Sequence, residues 1–135
     1  MKKFLLAVFA LISLNVVLIS AGLQAGKTWD IPETYKTKKN PVKVSDDGLA
    51  DGKELWNKEC KICHGARGAG DGVKAKNLSD PCGDFTSKEF QSQLSDGGIF
   101  YLSFVKKISD HNFEKKIPDE TDRWNIVNYI RTFKK

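Results

Sequence analysis

The sequence predicts a small all-α domain, and three observations favour this fold class. Apolar residues recur at helical spacing in residues 99–107 and again in residues 119–133, and Thr-Ser-Lys-Glu at 86–89 has the form of a capping box that opens a helix. The 135 residues are 40% hydrophobic and 29% charged, which is typical of one globular domain. A domain of this size buries only a modest core by itself.

Residues 1–25 form a predicted export signal. Two lysines precede a nearly unbroken apolar run, Phe4 to Ile19, and small residues follow up to Ala25, after which we expect cleavage. An uncleaved signal anchor is the alternative, because the run is nearly long enough to span a bilayer. Cleavage would remove the two lysines and lower the formal net charge from +5 to +3. We therefore expect an exported protein, periplasmic or in an equivalent extracytoplasmic compartment, without stable membrane insertion.

Residues 26–46 are predicted to be an extended N-terminal arm that leads into the domain at residues 47–135. Two prolines interrupt a polar, lysine-rich stretch that shows no sustained periodicity. Trp29 and Tyr35 are isolated aromatic residues in this arm, and such residues usually pack onto their own domain or onto a partner.

A helix is predicted to deliver the most informative stretch of the chain, Cys-Lys-Ile-Cys-His at residues 60–64. The helical pattern begins at about Asp47 and includes Leu55 and Trp56, and both Asp46 and Asp47 are candidate N-caps. The five-residue motif is therefore expected at the end of a helix.

The C-x-x-C-H spacing is that of a covalent c-type haem attachment site. Each thiol can add across one vinyl group of the porphyrin, so Cys60 and Cys63 are the predicted thioether anchors and His64 is the predicted proximal iron ligand. A redox pair would require a surrounding βαβ pattern, and a zinc site would require a second ligand pair at matching spacing; the sequence contains neither. One covalent haem c is the predicted cofactor.

The rest of the chain is predicted to alternate loops and helices. Residues 65–72 are glycine-rich, and a phosphate-binding loop is excluded there because no strand precedes them and no lysine–hydroxyl pair stands at the required spacing. These glycines are better explained as a tight loop packed under the haem, where side chains would clash. A second loop contains Cys82. Residues 96–98 are expected to end one helix before the next begins, and residues 109–118 are expected to form a loop before the last helix.

The order of these features resembles a small class I c-type cytochrome. The resemblance rests on Gly-Lys-Glu-Leu-Trp at 52–56, the motif at 60–64, Gly-Asp-Gly at 70–72, Asp-Phe-Thr at 84–86, Asp-Gly-Gly-Ile-Phe at 96–100 and Arg-Trp-Asn-Ile-Val-Asn-Tyr-Ile-Arg at 123–131. It covers about residues 47–133 and implies an all-α fold in which the first and last helices cross beside one covalently attached haem.

The chain departs from this family at the sixth iron ligand. Most members place a methionine before the last helix, but Met1 is the only methionine here and it begins the predicted signal. With Phe113 set against the family's phenylalanine, Asp110 takes the methionine position and His111 takes the proline position. Cys82, a third thiol in an exported chain, is the preferred distal ligand. His111 and an empty or water-filled site are the alternatives.

A narrower resemblance favours Cys82. The chain is similar to the paired monohaem cytochromes of anaerobic ammonium-oxidising bacteria, which have His/Cys ligation, bind nitric oxide and carbon monoxide, and form heterodimers. The resemblance implies a second small c-type cytochrome as partner, a diatomic gas as ligand and the anammoxosome lumen as compartment.

Two functions are compatible with these features. Either a diatomic gas displaces the distal ligand, or the iron keeps both ligands, with His111 opposite His64, and transfers single electrons to a redox partner. Exposed lysines are candidates for a basic rim that docks an acidic redox partner, although ordinary solvated lysines explain them equally well: Lys53, Lys58, Lys61, Lys74 and Lys76. No nucleophile–base or carboxylate pair is assembled, so no enzyme activity is expected, and the mild positive charge does not indicate nucleic-acid binding.

Overall fold

The computed structural model of the chain describes residues 29–79, 81–107 and 113–135, and the chain divides into two units after Asp30. The predicted export signal and His111 lie outside the described residues. The described elements are α1 (Glu33–Lys36), α2 (Asp46–Leu55), a π-helical turn (Trp56–Cys60), α3 (Lys61–His64), a 3₁₀ turn (Ala75–Asn77), α4 (Lys88–Gln93), α5 (Asp96–Phe100), a second π-helical turn (Tyr101–Val105), α6 (Phe113–Lys116) and α7 (Glu120–Arg131).

The all-α fold class is confirmed, since every regular element in the described parts of the chain is helical. None of these helices is long and apolar enough to cross a bilayer. The predicted helix at 99–107 differs in detail, because its α-helical part ends at Phe100 and continues as a π turn, in which Lys106 N donates to Tyr101 O at 2.8 Å.

Serine hydroxyls, rather than the predicted residues, cap α2 and α4. Ser45 Oγ accepts from Gly48 N at 3.1 Å, and Ser87 Oγ accepts from Phe90 N at 3.2 Å. Thr86 lies one residue before the cap, and its hydroxyl donates to Asp84. The predicted caps at Asp46 and Asp47 are therefore wrong. These two residues lie in the first turn of α2, where their negative charges interact favourably with the positive end of the helix dipole.

The prediction that residues 96–98 interrupt the helical structure is also wrong. They form the first turn of α5, which Ser95 caps by accepting from Gly98 N at 3.1 Å. Gly97 is buried against the backbone of the arm, so closely that a Cβ there would overlap the carbonyl oxygens of Tyr35 and Lys38. Tertiary packing requires glycine at this position, although glycine has a low helix propensity.

The N-terminal arm lies on its own domain. Between residues 31 and 45 the only helical element of the arm is the single turn α1, and the ring of Tyr35 lies 4.9 Å from that of Tyr101 with 42° between the planes. Asn40 Nδ2 donates to Asn128 Oδ1 at 2.8 Å, and Asn128 Nδ2 donates to Val42 O at 3.3 Å. These bonds fasten the arm to α7.

The main helix contact joins α2 to α7. Gly52 of α2 meets α7 so closely that a Cβ there would overlap the Asn125 carbonyl. Three large apolar side chains of α7 are fully buried: Trp124, Ile126 and Ile130. Helices that approach this closely need a residue without a side chain at the contact point.

We expect Gly52→Ala to lower the free energy of unfolding by about 1–3 kcal/mol, because backbone atoms of α7 cannot yield to the new methyl group. Gly48→Ala is the matched control. A Cβ at Gly48 meets the Asn125 side-chain oxygen at 2.8 Å, which can move, and alanine favours the helix by about 1 kcal/mol. Denaturant titrations followed by circular dichroism measure both variants. Equal effects at the two positions would contradict this account of the crossing.

Candidate functional site

The C-x-x-C-H motif lies where the first long helix ends. Cys60 is the last residue of the π turn, and Cys63 and His64 lie on α3, all three partly exposed. Lys61 N donates to Trp56 O across the π turn, so the helix passes from α2 through the turn into α3 without a break. Single π turns of this kind are frequent at functional sites.

Backbone N–H groups of the glycine-rich stretch satisfy the last four carbonyls of this helix. The bonds are Gly65 N to Lys61 O (2.8 Å), Lys74 N to Ile62 O (2.9 Å), Gly72 N to Cys63 O (3.2 Å) and Gly70 N to His64 O (2.9 Å). The last carbonyls of a helix have no partner within it and need one from elsewhere. The loop therefore holds the motif in place through the motif's own backbone.

Glycine is required at two positions of this loop for different reasons. Gly65 has φ +81°, a left-handed conformation that other residues rarely adopt, and it ends α3. A Cβ at Gly72 would overlap the carbonyls of Ile62 and Cys63. At Gly72 the close contact is with the motif's own backbone, and the predicted packing of the glycines under the haem stays a prediction.

Aromatic rings surround the His64 imidazole. The Phe85 ring is stacked on it, with centroids 4.5 Å apart and 29° between the planes, and the Trp56 ring lies 5.9 Å away. Trp56 is 1% exposed, and its Nε1 donates to Gly65 O at 3.2 Å. The imidazole thus lies against apolar faces instead of bulk water.

Hydrogen bonds hold the Asp84–Thr86 segment beside the motif. Phe85 N donates to Gly68 O at 2.7 Å, and Asp84 Oδ1 accepts from Thr86 N at 2.8 Å and from the Thr86 hydroxyl at 2.6 Å. The hydroxyl bond is the main reason why the pKa of the Asp84 carboxyl lies below its ordinary value.

Cys82 lines an open cavity of about 570 Å³ next to the motif. The cavity is walled by the loop after the motif and by the Cys82 segment: Gly70, Asp71, Gly72, Val73, Ala75, Lys76, Pro81 and Cys82. Burial raises the pKa of the Cys82 thiol, and the electrostatic effect of the Cys63 thiol raises it further. Gly70, whose N–H donates to His64 O, lies so close to Cys82 that a Cβ there would overlap the Cys82 carbonyl oxygen. Cys82 therefore approaches the motif from the side of the glycine loop.

The residues around the motif fit a covalently attached haem. Two thiols and an imidazole are presented on one turn of helix, and the neighbouring cavity is within the roughly 300–1,000 Å³ of ligand clefts. Burial raises the pKa of the Cys60 thiol to about 12, with the Glu59 carboxylate adding to the shift.

The fold and the donor set define the class of the chain as an all-α haem-attachment protein. The family model for cytochrome c matches residues 49–134, so the chain belongs to the cytochrome c family. No curated protein matches the sequence closely enough to count as a relative. As a class I c-type cytochrome, it binds haem c covalently, transfers electrons with redox partner proteins and works outside the cytoplasm.

The structure brings four of the five predicted site residues to one place. Cys60, Cys63 and His64 are adjacent, and Cys82 faces the neighbouring cavity, whereas His111 lies outside the described residues. Sequence reasoning missed Phe85 as a contact of His64. Its only signal was the Asp-Phe-Thr sequence at 84–86, which contributed to the family resemblance.

Proposed function

We propose that this chain is an exported monohaem cytochrome in which Cys60 and Cys63 carry the thioethers, His64 is the proximal ligand and Cys82 is the distal ligand. The proposal includes reversible binding of a diatomic gas, nitric oxide or carbon monoxide, in place of Cys82. The observation that supports it best is the position of Cys82 in the cavity wall, packed against Gly70 of the loop that follows the motif.

The haem supplies one-electron chemistry and an axial position that a gas can occupy. Cys82 would contribute a ligand whose affinity for the iron depends on the charges of the iron and of the sulfur. An anionic thiolate favours ferric iron, so it would be released more readily when the iron is reduced or the sulfur is protonated. His64 is neutral as a ligand and stays on the other side. This chain's own contribution to gas binding is therefore a distal sulfur that can leave.

Further features of the proposal concern partners and compartment. The resemblance to the cytochromes of anaerobic ammonium oxidisers supports a heterodimer with a second small cytochrome and residence in the anammoxosome lumen. Gel filtration with candidate partner subunits tests the heterodimer, and a monomer under every condition would count against it. Beyond gas binding and electron transfer we propose no enzyme activity.

A basic rim with an apolar centre supports docking of an acidic redox partner. Lys74 N donates to Ile62 O at 2.9 Å, which brings residues 73 and 74 beside the motif. Val73 and Ile62 are 76% and 42% exposed, and Lys61 and Lys74 are exposed next to them. An apolar contact ringed by positive charge suits electron transfer to an acidic protein.

The second candidate is electron transfer with both ligands retained, His64 on one side and His111 on the other. Membership of the cytochrome c family favours it, because electron transfer is the activity that the family shares. The two candidates differ in the chemical identity of the distal ligand.

Ferric electron paramagnetic resonance and near-infrared magnetic circular dichroism of the holoprotein distinguish them. We expect a low-spin thiolate signature in the wild type that is lost in Cys82→Ala and kept in His111→Ala. After reduction, we expect the Cys82→Ala protein to bind carbon monoxide at least as tightly as the wild type, since no sulfur competes. A bis-imidazole signature lost only in His111→Ala would refute the Cys82 assignment and leave electron transfer as the function.

A further inference from the structure

Three aromatic rings are stacked in a row at the motif, and the first is the His64 imidazole. The centroids of His64 and Phe85 lie 4.5 Å apart with 29° between the planes, and those of Phe85 and Phe90 lie 4.6 Å apart with 18° between the planes. Phe90 is 5% exposed and anchors the row in the core. The stack connects the ring proposed to bind iron with the interior of the domain.

The middle ring is held from both sides. Phe85 N donates to Gly68 O at 2.7 Å, and Phe85 O accepts from Gln91 Nε2 at 2.7 Å. The Trp56 ring meets Phe85 edge-on, at 5.9 Å and 62°. A ring fixed by its backbone and by a perpendicular neighbour cannot turn freely, so it restricts the rotation of the imidazole stacked on its face.

We infer that Phe85 is a positioning residue that sets the plane of the His64 imidazole and, through it, the magnetic anisotropy and reduction potential of the haem. The inference rests on the proposed function, because it requires His64 to be an iron ligand. The groups around a ligating histidine fix its orientation and tune the metal. Here the Phe85 ring, stacked on the imidazole, contributes to this orientation.

The physical link is the overlap between the imidazole π system and the iron d orbitals. Turning the ring about the iron–nitrogen bond changes which d orbital is raised, and therefore the ferric g values and the distribution of unpaired spin over the porphyrin. Hydrogen bonding, burial and ligand orientation are the means by which a protein tunes a haem. Loss of the Phe85 ring removes the orientation while leaving the ligand itself in place.

The test compares holoproteins carrying Phe85→Leu, Phe85→Tyr and, as matched control, Phe90→Leu. Phe90→Leu removes the ring that stacks on Phe85 and is 5% exposed in the core. We expect Phe85→Leu to shift the ferric g values, the spread of the haem methyl proton resonances and the reduction potential. Phe85→Tyr keeps the ring and is expected to give the wild-type spectrum, and Phe90→Leu is expected to stay close to it. Circular dichroism and thermal unfolding establish that each variant is folded.

A wild-type Phe85→Leu spectrum would overturn the inference, and so would an equal change in Phe90→Leu, which would indicate general loosening of the core. A measurement on the wild type keeps the test independent of variant folding: nuclear Overhauser effects between the Phe85 and His64 rings in the reduced protein are expected, and their absence would also overturn it. Pulsed electron paramagnetic resonance examines the proposed function separately. If the imidazole nitrogen couplings persist in His64→Gly, His64 is not the ligand, whatever the ring contacts show.

Discussion

Replacing both Cys60 and Cys63 with alanine is expected to abolish covalent haem attachment. The two sulfurs are the proposed thioether donors on one turn of helix, so the double variant leaves both porphyrin vinyl groups intact. Any haem that remains would be held by axial ligation and packing alone. Haem staining after denaturing electrophoresis should fall from full intensity to background, and the pyridine haemochrome should move to that of a vinyl-bearing haem.

Cys82→Ala is the matched control, because it also removes a thiol, one that lines the cavity next to the motif. We expect it to keep full covalent staining. Each single variant, Cys60→Ala and Cys63→Ala, should retain haem through one thioether, with an intermediate haemochrome. Full staining of the double variant, or loss of staining in Cys82→Ala, would contradict the assignment of the attachment cysteines.

Replacing Trp56 with alanine is expected to have the largest effect on stability, about 3–5 kcal/mol. The indole is 1% exposed and contacts two rings at the C-terminal end of the chain, with the Phe133 ring at 4.9 Å and the Tyr129 ring at 6.3 Å. The substitution removes the residue that joins the π turn to α7 and opens a cavity beside His64. Chemical denaturation of the holoprotein, with absorbance and circular dichroism as probes, measures the loss.

Trp56→Phe separates the ring packing from the hydrogen bond. Phenylalanine retains most of the apolar contact but lacks the indole N–H that donates to Gly65 O at 3.2 Å. We therefore expect a smaller loss than for alanine, of which about 1 kcal/mol is due to the hydrogen bond. An alanine variant as stable as the phenylalanine variant would show that the ring is not essential to the core.

The parts of the site that are adjacent in the chain could be predicted from the sequence. Cys60, Cys63 and His64 need only helical geometry to stand on one face, and that geometry follows from the local pattern around them. Cys82 was selected as a third thiol, and the structure adds that it lines the neighbouring cavity. Its distance from the motif along the chain gave no means of predicting which wall it occupies.

Two helix starts differ from those that the sequence favoured. It favoured a capping box led by Thr86, but the helix begins one residue later, with Ser87 as the cap, while the Thr86 hydroxyl donates to Asp84. Gly97 was expected to interrupt the helical structure because glycine is a poor helix former. It lies inside a helix because only glycine allows the arm to approach α5 closely.

By itself, the sequence determined the helical class, the order of the helices, the haem-attachment motif and membership of the cytochrome c family, because these depend on periodicity and on short motifs along one stretch of chain. Three features were decided only by the tertiary structure. N–H groups of the loop donate to the carbonyls of the motif, the Asn40–Asn128 bond fastens the arm, and Phe85 stacks on His64. Each of these contacts joins residues distant in sequence or depends on how two backbones approach each other. No local propensity encodes such a contact, so it becomes visible only when the helices have packed.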